Sequence, residues 1–170
     1  MLIVRKTLNR FRNDIEEILT GNLYEIIIHG SYALGDFTPH KGDLDYTVLT
    51  KTDIDPSHID RLSALHDRYR QVRELVLYQL EGTFYPKYVL RDISSTFCGC
   101  YIGTGRKGWR SITTFQNSLI DLKTMQEKGI RLLGNPVEFY SPTSAEITEE
   151  QKTTIKNLKT AIHNDAGIGH

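Results

Sequence analysis

The sequence predicts an α/β (α+β) fold, a small mixed β-sheet with helices packed against it. Three observations carry this expectation. Apolar residues recur at helical spacing in several segments, first at Leu8, Phe11, Ile15, Ile18 and Leu19. Between those segments stand short β-forming runs bounded by glycine, proline and aspartate. The resulting order is helix, strand, strand, helix, strand and then helices.

The elements follow in chain order. Thr7 to Thr20 is expected to be a helix, with Gly21 where a helix-ending glycine belongs. Leu23 to His29 reads as a buried strand and Leu44 to Leu49 as a second. Pro56 to Tyr69 places Ile59, Leu62, Leu65 and Tyr69 on one helical face, with Asp55 or Ser57 as its cap. Glu74 to Leu80 is the expected third strand, ending at Glu81-Gly82. From Thr83 to Trp109 the pattern weakens; Pro86 and the glycines at 99, 103, 105 and 108 predict loops with at most short elements. Ser111 to Lys128 returns to helical spacing through Phe115, Leu119, Leu122 and Met125. Ile130 to Leu133 is a short extended piece, and Thr148 to His163 a last helix, introduced by Ser144 or Thr148. The strands at 23–29, 44–49 and 74–80 are expected to form the sheet.

Composition narrows the functional classes. Lysine plus arginine and aspartate plus glutamate are equal at 21 each, so no global basic field argues for bulk nucleic-acid binding. No apolar run reaches membrane-spanning length, and the N-terminus lacks a signal peptide's apolar core, so a cytoplasmic protein with no membrane partner is expected. Cys98 and Cys100 are too close in sequence to bridge each other readily and have no zinc-completing neighbours.

The most informative stretch is EIIIHGSYALGDFTPHKGDLDYTVL, residues 25–49. A buried strand stops at Gly30-Ser31, a loop follows, and a second strand carries Asp43 and Asp45 around Leu44. Alternation on a strand points both aspartates one way and Leu44 into the core. Two carboxylates projecting together are costly without a cation, and Mg²⁺ with nucleotide phosphates is the commonest occupant of such a pair. Gly30 lets the chain turn sharply and approach phosphate, and Ser31 offers a hydroxyl beside it. Nucleotidyl transfer also needs a base for the attacking hydroxyl. Glu81, at the end of the expected third strand, is the first candidate and Glu74 the second. His29 reads as a packed strand residue, Lys41 as an exposed loop lysine, and the segment from Cys98 to Trp109 as a flexible loop without the ending of a P-loop.

This stretch resembles the nucleotidyltransferase signature of the DNA polymerase β superfamily. Within it the chain is most similar to the aminoglycoside adenylyltransferases that modify streptomycin and spectinomycin, through HGS, Gly35, Pro39 and the acids. Leu80-Glu81-Gly82-Thr83-Phe84-Tyr85 and Gly129 to Pro136 resemble later segments of those enzymes. The resemblance implies a polymerase β-like fold, Asp43 and Asp45 as ligands of two Mg²⁺, Gly30 and Ser31 on phosphate, and Glu81 as base. It implies AMP transfer from ATP to a small-molecule hydroxyl, with antibiotic resistance as the biological setting. Residues 1–145 are then the catalytic domain and 146–170 a C-terminal helix and tail, short of the family's second, helical domain. A homodimer partner could supply the acceptor half. Two alternatives stand beside this reading: a minimal nucleotidyltransferase modifying protein or RNA, of toxin–antitoxin type, and a non-catalytic nucleotide-binding module.

Overall fold

A computed structural model describes residues 2–39, 41–71, 77–103 and 108–166. The chain begins with helix α1 (Leu2–Ile18), then β1 (Leu23–Ile28), the short helix α2 (Gly30–Leu34), β2 (Leu44–Thr50) and α3 (Pro56–Gln71). After a 3₁₀ turn at Leu77–Gln79 come β3 (Leu80–Pro86), a second 3₁₀ turn at Lys87–Leu90, β4 (Gly99–Ile102) and β5 (Trp109–Ile112). Helix α4 (Leu119–Lys128), β6 (Ile130–Leu133) and helix α5 (Ser144–Ala166) complete it. The strands form one mixed sheet in the order β5-β4-β3-β2-β1-β6. Its one parallel pair is β2 with β3, joined through α3.

The sheet separates two apolar layers. On one face, Leu8, Phe11 and Ile15 of α1 and Leu62 and Leu65 of α3 pack with Ile26, Ile28, Tyr46, Val48 and Phe84. The helical stripes predicted this layer, because apolar residues at three- and four-residue spacing must bury their common side. On the other face Leu122 and Met125 of α4 join Ile27, Leu49, Tyr85 and Phe97. That second layer covers only part of its face and leaves the starts of β2 and β3 uncovered.

Several boundaries differ from expectation. Helix α1 starts five residues earlier than Thr7 and buries Val4 as well. Gly21 adopts the left-handed φ of 83° that the helix-ending assignment required. The third strand is Leu80–Pro86 rather than 74–80, and residues 72–76 lie outside the described residues. Gly82 suggested an end to the strand, yet it lies inside β3, where an added Cβ would come within 2.2 Å of the Tyr46 carbonyl. The glycine is required by close strand approach, not by a turn. The loop expected over 83–109 contains the rest of β3 together with β4 and the first residue of β5. The flexible-loop reading of Cys98 to Trp109 is corrected likewise: β4 and β5 are antiparallel strands, with residues 104–107 outside the described residues.

The helix expected from Ser111 starts at Leu119. Residues 109–112 pair with β4, and Ser118 begins the helix through a capping box. Its hydroxyl accepts from the Asp121 N–H while the Asp121 carboxylate accepts from the Ser118 N–H. Glu150 of α5 accepts from the Leu119 N–H at 3.0 Å, tying the last helix to the start of α4. Helix α5 itself starts at Ser144, four residues ahead of Thr148, with Thr143 and Glu146 bonded reciprocally at its head. No helix among the described residues is long and apolar enough to cross a membrane, and Cys98 and Cys100 are free thiols.

Candidate active site

The uncovered ends of β2 and β3 open onto a cleft of about 310 Å³. Asp45 is the second residue of β2 and Glu81 the second residue of β3. The parallel register sets them directly opposite one another. Neighbouring strands run about 4.8 Å apart, so the backbone alone places two carboxylates side by side. Both are half-buried and both line the cleft. Leu44 between the aspartates is fully buried against α1 and α3, as strand alternation predicted. Asp43 is exposed at the entry to β2, and its charge reaches Tyr101.

The Gly-Ser turn meets this pair at close range. Gly30 opens α2 with a left-handed φ of 60°, and a Cβ there would lie 2.2 Å from Asp45 Oδ2. The bare glycine backbone is therefore what admits the carboxylate. Ser31 follows, half-buried, its carbonyl accepting from the Asp36 N–H at 2.9 Å. Lys41 is exposed. Glu74, the alternative base, lies outside the described residues.

Beneath the carboxylates runs a ladder of polar side chains. His29 Nε2 lies 3.1 Å from Thr47 Oγ1, and Thr47 Oγ1 lies 3.2 Å from Thr83 Oγ1. Thr83 and Tyr85 both donate to Asn117 Oδ1, at 3.2 and 2.8 Å. His29 is 4 % exposed, and its burial pulls the imidazole pKa down to about 4 against the opposing charge of Asp121. It is thus a neutral, hydrogen-bonded residue as expected, but it stands one position past the end of β1, as the residue that leads into α2, rather than within the strand. A shielded row of this kind fixes the sheet floor under the two acids.

On the far side of Glu81 the wall is built from residues that the sequence did not single out. The Tyr101 hydroxyl donates to Glu81 Oε1, and the Arg110 guanidinium lies 4.7 Å from the centre of the Tyr101 ring. Gln116 accepts from Arg110 at 3.0 Å. These residues come from two four-residue strands and a loop, too short for periodicity to reveal. Only the Ser118-to-Asp121 capping pair marks in sequence where that loop must end.

Among the described residues no group of three or more histidine, cysteine, aspartate or glutamate side chains forms a ready cage for a metal ion. The donor set nevertheless suits Mg²⁺, which usually takes one or two carboxylates and completes its shell with substrate phosphates and water. Asp45 in the cleft is a hard oxygen donor of that kind, whereas Asp43, exposed at the strand entry, is not among the residues that line the cleft.

The family model for the nucleotidyltransferase domain matches residues 8–160. This chain belongs to that family. Among solved structures, the chain resembles spectinomycin adenyltransferase AAD(9) from Enterococcus faecialis, a structure with ATP and spectinomycin, at 16 % identity and a TM-score of 0.56. The match covers 78 % of this chain and 57 % of the neighbour, and at that identity it speaks for the fold. No curated protein sequence matches the chain. The mixed sheet flanked by helices is the nucleotidyltransferase fold that the motif had implied.

Proposed function

We propose that this nucleotidyltransferase moves AMP from ATP to a hydroxyl of a small, aminoglycoside-like molecule. One observation carries the reading: Asp45 and Glu81 face each other in register within one cleft, with the Gly30 backbone against Asp45. The solved neighbour's ATP and spectinomycin support a nucleotide donor and a small-molecule acceptor.

In this reading Asp43 and Asp45 hold Mg²⁺, which when bound neutralises phosphate charge. Gly30 and Ser31 receive the triphosphate from the α2 side. Glu81 lies one strand further on, where the acceptor approaches, and takes its hydroxyl proton. The acceptor oxygen bonds to the α-phosphorus as the bond to the bridging oxygen breaks, and pyrophosphate leaves with that electron pair.

The test uses α-labelled ATP with Mg²⁺ and, in separate reactions, spectinomycin, streptomycin and a cell lysate. Label on a drug is the expected result. Label only on protein or RNA would move the acceptor to the macromolecular class, and failure to bind ATP would indicate a non-catalytic module. Asp45→Asn should lower transfer at least about 100-fold, since losing a metal-holding carboxylate removes several kcal/mol of transition-state stabilisation. Full activity in that variant would end the assignment.

A further inference from the structure

Glutamate on a strand has three rotatable side-chain bonds, and a base must present its oxygen to one hydroxyl in one geometry. Register fixes the Cα of Glu81 but not its carboxylate. Tyr101 holds one of that carboxylate's two oxygens. It stands on β4, paired with Thr83 of β3, and its ring reaches diagonally so that the hydroxyl donates to Glu81 Oε1. Arg110, its register partner on β5, covers the ring face with its guanidinium at 4.7 Å. Gln116 accepts from Arg110 at 3.0 Å, and the Gln116 N–H donates to Tyr85 Oη at 2.9 Å. Tyr85 Oη in turn donates to Asn117, which also receives Thr83. The bonds thus run from Glu81 through β4 and β5 and back to its own strand two and four residues on.

We infer that Tyr101, clamped by Arg110 and Gln116, is a positioning residue that holds the Glu81 carboxylate in its working orientation. This rests on the reading of Glu81 as base. Burial, followed by the hydrogen bond and charge of Glu81, pushes the Tyr101 phenol far above its usual range, so it stays protonated and remains the donor. Arg110 is exposed and its cation is spent on a ring face and an amide, the arrangement of a brace.

Tyr101→Phe keeps the ring, the strand pairing and the seat for Arg110, and removes only the donor. The expected result is a fall in kcat of about 10- to 100-fold, the usual effect of losing a group that orients a reacting residue, with the KM for ATP unchanged. Arg110→Lys should retain more activity than Arg110→Ala, because a cation still covers the ring. Crystals of both proteins give a readout that needs no acceptor: one Glu81 carboxylate position in the parent, several in Tyr101→Phe. An undiminished kcat, a KM for ATP that rises as kcat falls, or a single unchanged Glu81 position in the variant would overturn the inference. If Tyr101→Phe does not fold, the exposed Arg110→Ala gives the same kcat-against-KM and crystallographic comparisons. A parent that adenylylates nothing refutes the role of Glu81 as base, and the crystallographic comparison still decides whether Tyr101 tethers it.

Discussion

A methyl group on residue 30 would sit 2.2 Å from a carboxylate oxygen of Asp45, on a backbone already at φ 60°. Two penalties therefore fall on Gly30→Ala. The left-handed conformation costs an L-residue about 1–2 kcal/mol, and the added carbon must push the acid aside. The expected outcome is a chain that still folds but binds ATP with Mg²⁺ about tenfold or more weakly, a difference of about 1.4 kcal/mol or more, measured by calorimetry. Undiminished affinity would separate Gly30 from the nucleotide site. At this scale one contact was legible: Gly30 and Asp45 lie within sixteen consecutive residues, and the chain leaving β1 brings the glycine backbone against the carboxylate on β2. Tyr101 and Arg110 reach Glu81 only through pairing of β3 with β4 and β4 with β5, and nothing in their local sequence announces it.

Strands β2 and β3 and the residue that follows β1 share more than backbone bonds. Thr47 sits between His29 and Thr83, and its hydroxyl is fully buried with both. Replacing it with valine keeps the shape, removes both contacts and takes from the buried His29 ring its side-chain hydrogen-bond partner, while Thr83 keeps its bond to Asn117. The expected loss is about 1–3 kcal/mol of stability, read from the denaturant midpoint at constant slope. A midpoint equal to the parent's would show that the ladder is not holding the floor of the cleft. The same strands show where sequence reading slipped. The sequence puts Glu81 at the end of a strand over 74–80, whereas β3 begins at Leu80 and parallel register sets Glu81 beside Asp45. It is a within-strand neighbour, not a loop-end acid. Gly82 misled because a glycine in a strand signals a break or a close approach, and only the Tyr46 ring and carbonyl show which. The helices were easier to read, since their stripes are long, except where β5 and a loop occupied the front half of the expected α4 segment.

The whole molecule carries a pH signature in its core. His66 is 2 % exposed, with Nε2 2.8 Å from the Tyr46 hydroxyl, and burial, aided by the Arg70 charge, lowers its pKa from 6.5 to about 3. The native imidazole stays neutral where the unfolded one takes a proton, so the contribution of His66 to stability is full above pH 6.5 and declines as pH drops toward 3. At pH 5 this residue alone accounts for about 2 kcal/mol of that decline. Urea midpoints at pH 7 and 5 should differ, and His66→Gln, though less stable at pH 7, should show a shallower dependence. An equal dependence in both proteins would assign the effect elsewhere. The parallel pairing of β2 with β3 has a temporal consequence as well. Its buried threonine contact spans 36 residues of chain, and the acids it aligns are no closer in sequence. Such a contact forms only after its loop has closed, a late and cooperative event. During refolding, the proposed transfer activity should therefore return together with the native sheet, in one phase, with none in any partly folded species.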